Sequence, residues 1–180
     1  MIRRLDRFGS RRYLRSRRPE GTSPLQAEAA DQGVHRELVL REVAMTSPPP
    51  DVAELLQVTV DTPLVVRRHL VVLDGHPAAT ADSYIPAHLV EGTRIVRPER
   101  IPGGVHVALA EVLGTPLTHA VEALVARMPT LAETETLELP PGTPVVELIR
   151  TIHADDRPVE VTIWLFDASR HRFVYDVPVD

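Results

Sequence analysis

The 180-residue chain contains no cysteine and no lysine. The absence of cysteine excludes disulfides, thiolate zinc sites, iron–sulfur clusters and cysteine nucleophiles. The absence of lysine excludes a phosphate-binding P-loop, because that motif needs its lysine. No apolar run approaches the ~18–20 residues of a membrane span, and no apolar segment follows the basic N-terminus as in a secretory signal. These absences predict a cytoplasmic protein that has no membrane partner and needs no cofactor.

The distribution of charge divides the chain into two parts. All 20 basic residues are arginine, and eight of them lie within residues 3–18 beside a single acid, Asp6. Residues 19–180 carry 12 arginines and 24 acidic residues, a net charge of −12. We therefore interpret 1–30 as a basic arm or interdomain linker and 31–180 as one globular domain. The arm could lie near phosphate or simply be solvated, whereas the acidic body is not expected to bind nucleic acid.

Hydrophobic alternation and turn residues predict an α+β fold with a mostly antiparallel sheet flanked by short helices. Asp74-Gly75 is a strong hairpin signal. Asp51 is a candidate N-cap, Gly114 a helix C-terminal glycine, and Thr130-Leu131-Ala132-Glu133 a capping box. The predicted strands are 34–45, 64–73, 77–85, 117–128, 145–153, 159–166 and 172–179.

Charged residues inside apolar strands are the main candidates for a site. Arg67 and His69 share one strand face, while Arg68 points to the other face. Glu160 lies between two valines, where a buried carboxylate without a partner is costly. Two interpretations remain open: Arg67, His69 and Glu160 face a polar pocket, or Arg67 and Glu160 pair at a sheet edge. The sequence contains neither a nucleophile elbow nor a His-x-x-x-His pair, so no motif indicates nucleophilic catalysis or a metal site.

An ordered set of motifs resembles the UTRA domain, the effector-binding half of HutC-subfamily GntR transcription regulators, in particular those of actinobacterial type. The resemblance covers roughly residues 34–180. The motifs that carry it are Arg67-Arg68-His69, Asp74-Gly75, Asp82-Ser83-Tyr84-Ile85-Pro86, Gly103-Gly104-Val105-His106, Gly142-Thr143-Pro144-Val145, Arg157-Pro158-Val159-Glu160-Val161 and Phe173-Val174-Tyr175-Asp176-Val177-Pro178.

The resemblance implies a chorismate-lyase-like fold, a homodimer and a small-molecule pocket on the sheet. In the family a winged helix-turn-helix precedes this domain, and residues 1–30 are too short to hold one. DNA would therefore be a partner only through a helix-turn-helix that is not in this chain. The effector-binding residues that the resemblance implies are Arg67, His69, Asp82, Ser83, Tyr84, Gly104, His106, Glu160 and Phe166.

Several of these positions depart from the family's sugar-phosphate pattern. His69 replaces a second arginine, Gly104 replaces a serine, and Ala81 stands where the family has a carboxylate, although Asp82 is adjacent. One bidentate arginine and one hydroxyl donor are thereby lost. These departures argue against a phosphorylated sugar and favour a neutral or weakly anionic metabolite.

The sequence thus predicts a non-enzymatic effector-sensing and dimerisation domain of a transcription regulator. The alternatives are an enzyme of the chorismate-lyase kind, with Glu160 as the acid and Arg67 holding a carboxylate, and a dimerisation module with a vestigial pocket. If the sensor reading holds, Arg67→Ala should remove ligand binding and leave the fold intact. Protonated His69 should strengthen the binding of an anionic effector as the pH falls from about 8 to 6.

Overall fold

The computed structural model describes residues 4–9, 24–177 and 179. The described strands are β1 Leu5–Phe8, β2 Arg36–Thr46, β3 Leu64–Leu73, β4 His76–Pro86, β5 His119–Arg127, β6 Val145–Ala154, β7 Arg157–Asp167 and β8 His171–Val174. The described α-helices are α1 Pro24–Asp31, α2 Pro50–Leu56, α3 Ala87–Val90, α4 Val105–Leu113 and α5 Leu131–Leu137, and a 3₁₀ turn spans Arg94–Val96.

Six strands form one antiparallel sheet in the order β2-β3-β4-β7-β6-β5. Tight turns join β3 to β4 and β6 to β7, and both residues of the β3–β4 turn, Asp74 and Gly75, have positive φ angles of 49° and 82°. Positive φ at both central positions matches the type I′ turn that fits the twist of a hairpin. The predicted hairpin and the predicted α+β class, with its mostly antiparallel sheet, are confirmed.

The helices cover the two faces of this sheet unequally. The front face carries the odd-numbered residues of β3, and the back face carries the even-numbered ones. On the back face, α2 and α5 pack through apolar residues such as Val52 and Leu137. On the front face, two separate apolar clusters form, one at each end of the strands. We call them the α1 core, which contains Leu5, Ala29, Val71, Trp164 and Phe166, and the α4 core, which contains Val65, Ile85, Ile101, Ala108 and Leu109.

The N-terminal region differs from the predicted solvated arm. β1 pairs in parallel with β8 as a separate two-stranded sheet, and α1 packs in the α1 core. Arg7 is buried: its guanidinium lies 4.7 Å from the Phe166 ring centre, and Nε lies 3.3 Å from a Glu28 carboxylate oxygen. Within the arm or linker 1–30, residues 5–8 and 24–30 thus belong to regular elements, because partners distant in sequence bury them. Residues 1–3 and 10–23 of this arm lie outside the described residues.

Some predictions about the ends of helices and strands are confirmed, and others are wrong. Gly114 ends α4 with a φ of 64°, and Thr130 caps α5 in a capping box with Glu133. The N-cap of α2 is Pro49 rather than Asp51, which lies in the first turn. The final strand ends at Val174 because it pairs only with the four residues of β1.

Candidate functional site

A cavity of about 380 Å³ lies on the front face between the α1 core and the α4 core. Strands β2, β3, β4, β6 and β7 form its floor, and residues 100–106, at the start of α4, form one wall. The polar side chains that line it are Gln26, Arg36, Glu37, Arg67, His69, Ser83, Arg100, His106, Arg150, Glu160 and Thr162. Since these groups interrupt an apolar sheet face, they mark the cavity as a candidate binding site.

Six of the nine candidate residues lie at this cavity, and three do not. Those that line it are Arg67, His69, Ser83, Gly104, His106 and Glu160. The three that the structure places elsewhere are Asp82, Tyr84 and Phe166.

A β-bulge moves Asp82 and Tyr84 to the back face. With a regular two-residue hairpin, Asp82 would lie opposite Arg67 and share its face. The register shifts by one residue at Val71/Val72, so Ser83 lies opposite Arg67 instead. Because side chains alternate along a strand, one extra residue sends its neighbours to the other face. Asp82 therefore pairs with Arg68 at 3.2 Å on the back face, and Tyr84 packs in the core beneath α2.

Phe166 lies on the front face but outside the cavity. It is fully buried in the α1 core, where its ring centre lies 5.4 Å from that of Trp164 and 5.2 Å from that of Phe173. The alternation along β7 puts Glu160, Thr162 and Trp164 at the cavity and takes Phe166 beyond its edge. Phe166 therefore does not line the cavity: it packs in the core that supports Trp164.

Glu160 is the buried carboxylate of the cavity, with only 1% of its surface exposed. One oxygen lies 3.1 Å from Nε2 of His106, and the other accepts a hydrogen bond of 3.1 Å from the Thr162 hydroxyl. The Thr162 and Ser83 hydroxyls lie 3.0 Å apart. Burial raises the pKa of Glu160, but His106, Arg150 and Ser83 together outweigh burial, so the pKa is lowered overall. Glu160 is thus a carboxylate at neutral pH, and the predicted alternative of an Arg67–Glu160 pair is not what forms.

Arg67 holds a loop with its guanidinium. Its Nη1 donates to the carbonyls of Ile95 and Arg97 at 2.7 and 2.8 Å, and its Nη2 donates to the carbonyl of Glu99 at 2.7 Å. Burial lowers the pKa of Arg67, with partial compensation from Glu99. Since both terminal nitrogens bind backbone carbonyls, Arg67 supports the cavity wall, and we no longer expect Arg67→Ala to leave the fold intact.

His69 is neutral at physiological pH. Burial lowers its pKa to about 4, and the nearby charges of Arg67 and Arg36 add to that effect. The histidine therefore does not supply the cation that the second arginine supplies in the sugar-phosphate pattern. The expected strengthening of anion binding between pH 8 and 6 would require a pKa within that range, and the structure argues against it.

The cavity contains functional candidates that sequence reasoning missed, above all Arg36, Arg100 and Trp164. Arg36 precedes two leucines of β2, Leu38 and Leu40, that also line the cavity, and this alternation was a usable signal. Trp164 lies four residues after Glu160 on the same strand face, which was a second signal. Arg100 belongs to a loop, and no local pattern in the sequence marks it.

The opposite face of the sheet has a second recess of about 300 Å³ between the strands and α5. Its charged side chains satisfy one another. Arg127 donates to Glu133 and Glu147 at 2.8 Å, and Asp82 pairs with Arg68. This recess therefore offers a ligand few free polar groups.

The described part of the chain offers no candidate for a metal site or a membrane span. No three His, Asp or Glu side chains of 4–9 and 24–177 are grouped so that they could hold a metal ion. None of the helices described above has the length and hydropathy that crossing a bilayer requires.

The fold and the cavity together define an α+β domain with a polar cavity on one sheet face. The sequence profile of the UTRA domain matches residues 31–172, and this chain belongs to that family. Over 117 residues the chain is 38% identical to an uncharacterized HTH-type transcriptional regulator of Streptomyces coelicolor, covering 63% of this chain and 43% of that protein. The chain thus spans less than half the length of this curated relative.

Solved structures agree with this assignment. A crystal structure of a GntR-family transcriptional regulator, 26% identical, has a TM-score of 0.81 over all of this chain and 71% of the other. PhnF from Mycobacterium smegmatis, 18% identical, has a TM-score of 0.79 over 98% of this chain and 73% of its own. The C-terminal domain of the histidine utilization repressor from Pseudomonas syringae pv. tomato, 15% identical, has a TM-score of 0.69 over 81% of this chain and 100% of its own. The last two likenesses show the fold alone.

Proposed function

We propose that this chain is the effector-sensing and dimerisation domain of a GntR/HutC-type transcription regulator. A small metabolite would occupy the front-face cavity and change how a helix-turn-helix elsewhere in the regulator binds DNA. A ligand that prefers one of two dimer arrangements shifts the population toward it. The relatives named above are regulators or their domains, which supports a binding role rather than an enzymatic one.

The observation that carries this proposal is the buried carboxylate of Glu160, which lies beside His106 inside the cavity. A buried carboxylate costs free energy unless it is paired and hydrogen-bonded. Here, Glu160 has its partners yet still lines open volume together with Ser83 and Thr162. A purely structural domain would have little reason to keep this polar row beside open volume, whereas a binding site needs it to orient a ligand.

The test is a screen of neutral and charged small metabolites by thermal unfolding, followed by calorimetry of the hits. A ligand at 100 times its Kd stabilises the folded state by about 2.7 kcal/mol, which for a domain of this size is about 5–10 °C in Tm. Glu160→Gln keeps the side-chain shape and should weaken binding at least about tenfold. Glu54→Gln, an exposed change on α2, is the matched control. A screen without hits, or equal affinity in both variants, would contradict the proposal.

The β5 edge is the surface we propose for dimerisation. β5 is an edge strand of the sheet. Four apolar side chains on β5 or shortly after it are 56–85% exposed, and we call them the β5 surface: Val121, Val125, Met128 and Leu131. An exposed apolar edge strand is a template for pairing with another chain. Its two charged residues, Glu122 and Arg127, already have partners within the chain. A two-fold interface, in which the same patch meets itself, therefore needs no new charge pairing.

Light scattering tests this interface. The protein should have about twice its mass of 20.0 kDa at tens of micromolar. Val125→Glu should shift the equilibrium to the monomer, because it places a charge in an apolar interface. Val60→Glu, at an equally exposed valine outside the β5 surface, should leave the dimer intact. A monomeric wild type, or a dimer unaffected by Val125→Glu, would contradict the assignment.

The acidic domain is not proposed to bind DNA by itself. Its net charge of −12 over residues 19–180 opposes binding to phosphates. A gel shift should show, at most, binding that disappears as salt rises. Sequence-specific binding that persists at about 200 mM salt would contradict this part of the proposal.

A further inference from the structure

The proposed function leaves the chemical class of the ligand open, and the cavity contains groups that narrow it. We propose that the cavity takes a small organic anion whose carboxylate or phosphate lies beside Arg36 and Arg100 and whose second oxygen acceptor meets the indole N–H of Trp164. This inference rests on the proposed function, since it concerns the ligand of the same cavity. It places the anion away from Arg67 and His69, where the sugar-phosphate pattern would put it.

Trp164 supplies a buried donor that the protein leaves unused. The residue is 6% exposed, and it lines the cavity. Its Nε1 is shielded from solvent and has no hydrogen-bond partner among the described residues. An indole N–H can only donate, so the group that satisfies it must be an acceptor. Ala81 lies directly opposite Trp164 in the sheet, and its small side chain leaves room beside the indole.

Arg36 supplies a cation without an ion-pair partner. In the described part of the chain, its Nη2 is buried and lacks a hydrogen-bond partner, and no carboxylate lies within ion-pair distance. The nearby carboxylate of Glu28 pairs with Arg7 at 3.3 Å. Arg100, on the loop across the cavity, lies near enough to repel Arg36. Two arginines that repel each other beside an open volume favour an anion between them.

The charges that line the cavity give it a positive surplus. Its cations are Arg36, Arg67, Arg100 and Arg150, and its carboxylates are Glu37 and Glu160. Glu160 lies 3.1 Å from Nε2 of His106, and Arg150 pairs with Glu122 at 2.9 Å. Arg67 donates to neutral carbonyls, and its charge is compensated only in part, by Glu99. The remaining arginines, Arg36, Arg67 and Arg100, outnumber the two carboxylates of the cavity, and one of these, Glu37, is exposed.

The position of the anion follows from which donors are free. Both terminal nitrogens of Arg67 are occupied by the carbonyls of the 95–99 loop, and His69 is uncharged at neutral pH. The Nε of Arg67 is buried and has no partner among the described residues, but a ligand that took its terminal nitrogens would release the carbonyls and with them the cavity wall. Arg36 can bind an oxyanion without breaking any hydrogen bond of the protein. The geometry therefore favours the β2 side of the cavity.

The single tryptophan of the chain makes the test direct. Because Trp164 is the only tryptophan and lines the cavity, its fluorescence reports occupancy. The probes are inorganic phosphate, sulfate, acetate and citrate, titrated at constant ionic strength. We expect a saturable change for at least one probe in the millimolar range or below. Arg36→Gln should weaken it at least about tenfold, whereas Arg41→Gln, an exposed change on the same strand, should leave it unchanged. Whether phosphate or citrate binds more tightly separates a phosphate ligand from a carboxylate ligand.

A second variant isolates the indole donor. Trp164→Phe keeps an aromatic ring and removes the N–H, so its citrate affinity, measured by calorimetry, should fall about fivefold. A stability measurement separates binding from folding: Arg36→Gln should leave Tm unchanged or raise it, because no ion pair is lost. A lower Tm in Arg36→Gln would give the arginine a structural role and overturn the inference.

The outcomes also distinguish this inference from the proposed function. If a neutral metabolite from the screen binds wild type and Arg36→Gln equally, the sensor function stands and the anion inference is overturned. If none of the four probes gives a saturable change, or if Arg36→Gln and Arg41→Gln respond alike, the anion inference is overturned as well. If no metabolite of either charge class binds, the proposed function fails first.

Discussion

Two adjacent arginines of β3, one on each face of the sheet, have opposite kinds of partner. Arg68, on the back face, is 38% exposed and pairs with the carboxylates of Glu42 and Asp82. Arg67, on the front face, is 1% exposed and donates only to backbone carbonyls. The back-face arginine Arg127 repeats the first pattern with its two glutamates.

This difference separates arginines whose charge is matched by a carboxylate of the protein from arginines whose charge can still act on a ligand. A cation already matched by carboxylates has little to offer a ligand, and at a surface it contributes little stability. A cation that meets only neutral groups keeps its field, and the field acts on whatever titrates or binds nearby. Carboxylate partners, more than the number of arginines, therefore distinguish Arg36 and Arg67 of the cavity from the arginines of the back face. Four predictions test this comparison.

The largest expected effect is acid destabilisation through two front-face histidines. Burial lowers the pKa of His69 to about 4 and that of His171 to about 3, and neighbouring arginines add to both shifts. Both rings are neutral in both states above pH 6.5. As the pH falls from 6.5 toward 4, the two histidines bind protons in the unfolded chain but not in the folded chain, so the folded state loses stability. With a discount for partial exposure, we expect a loss of about 4 kcal/mol for the two together.

Urea unfolding at pH 7.5 and pH 4.5 measures this loss. Replacing both histidines by glutamine should remove most of the pH dependence in this window, because carboxylates with lowered pKa values act mainly below it. The control pair is His76 and His88, which are exposed. If the two double variants lose equal stability on acidification, the front-face field is not acting on His69 and His171.

The second effect is the loss of the Arg67 clamp. Arg67→Ala removes three charge-assisted hydrogen bonds to the loop at 95–99. Hydrogen bonds to charged groups contribute about 1.5–3 kcal/mol each, net of the exchange with water. Because the loop can rehydrate in part, we expect a net loss of about 3 kcal/mol, or roughly 6–12 °C in Tm.

Hydrogen exchange locates this change. In Arg67→Ala, amides of the loop and of α4 should lose protection, while those of α2 and α5 on the back face should keep it. A variant with wild-type Tm and unchanged exchange would show that Arg67 does not hold the cavity wall.

The sequence predicted local structure better than it predicted the cavity. β3 was predicted residue for residue, and the hairpin turn and the capping box of α5 were found, because each depends on neighbouring residues. The burial of Arg7 against Trp164 was missed, since 157 positions separate the two residues. The Arg67 clamp was also missed, because every residue has a backbone carbonyl and the sequence does not show which carbonyls an arginine will bind.

A single bulge explains the main error in the site. The turn at Asp74-Gly75 correctly predicted a hairpin, and a regular ladder from that turn would bring Asp82 to the face of Arg67. The extra residue near Val71/Val72 turns Ser83 inward instead. Neither the residue types nor the hydrophobic alternation predicts a bulge. The structure was therefore needed to show which side chains among 81–83 face the cavity. The departures at His69 and Gly104, by contrast, were visible in the sequence.

The third prediction tests the back-face network. Arg127→Ala removes a bidentate pair with Glu133 and a bond to Glu147, all at 2.8 Å. Since these groups are partly exposed, we expect a loss of only about 1 kcal/mol. The hydrogen bond from Arg127 lowers the pKa of Glu133 to about 2, so the pair stabilises the fold above pH 4.5 and its contribution is lost as the pH falls toward 2. The stability gap between wild type and Arg127→Ala should close over that range, and a gap that persists at pH 2 would contradict the assignment.

The smallest effect is expected for Arg68→Ala, the matched partner of Arg67→Ala. The variant loses ion pairs to Glu42 and Asp82, but all three side chains are exposed by 31–50% and can be hydrated. Exposed pairs of this kind contribute about 0–1 kcal/mol, so the urea midpoint should move little, and ligand binding at the front-face cavity should be unchanged. Burial raises the pKa of Asp82 and Arg68 opposes that shift, so in the variant the pKa of Asp82 should rise further, which NMR titration can follow. If Arg68→Ala costs as much stability as Arg67→Ala, or weakens binding at the cavity, then the choice between carboxylate and carbonyl partners does not separate the two faces.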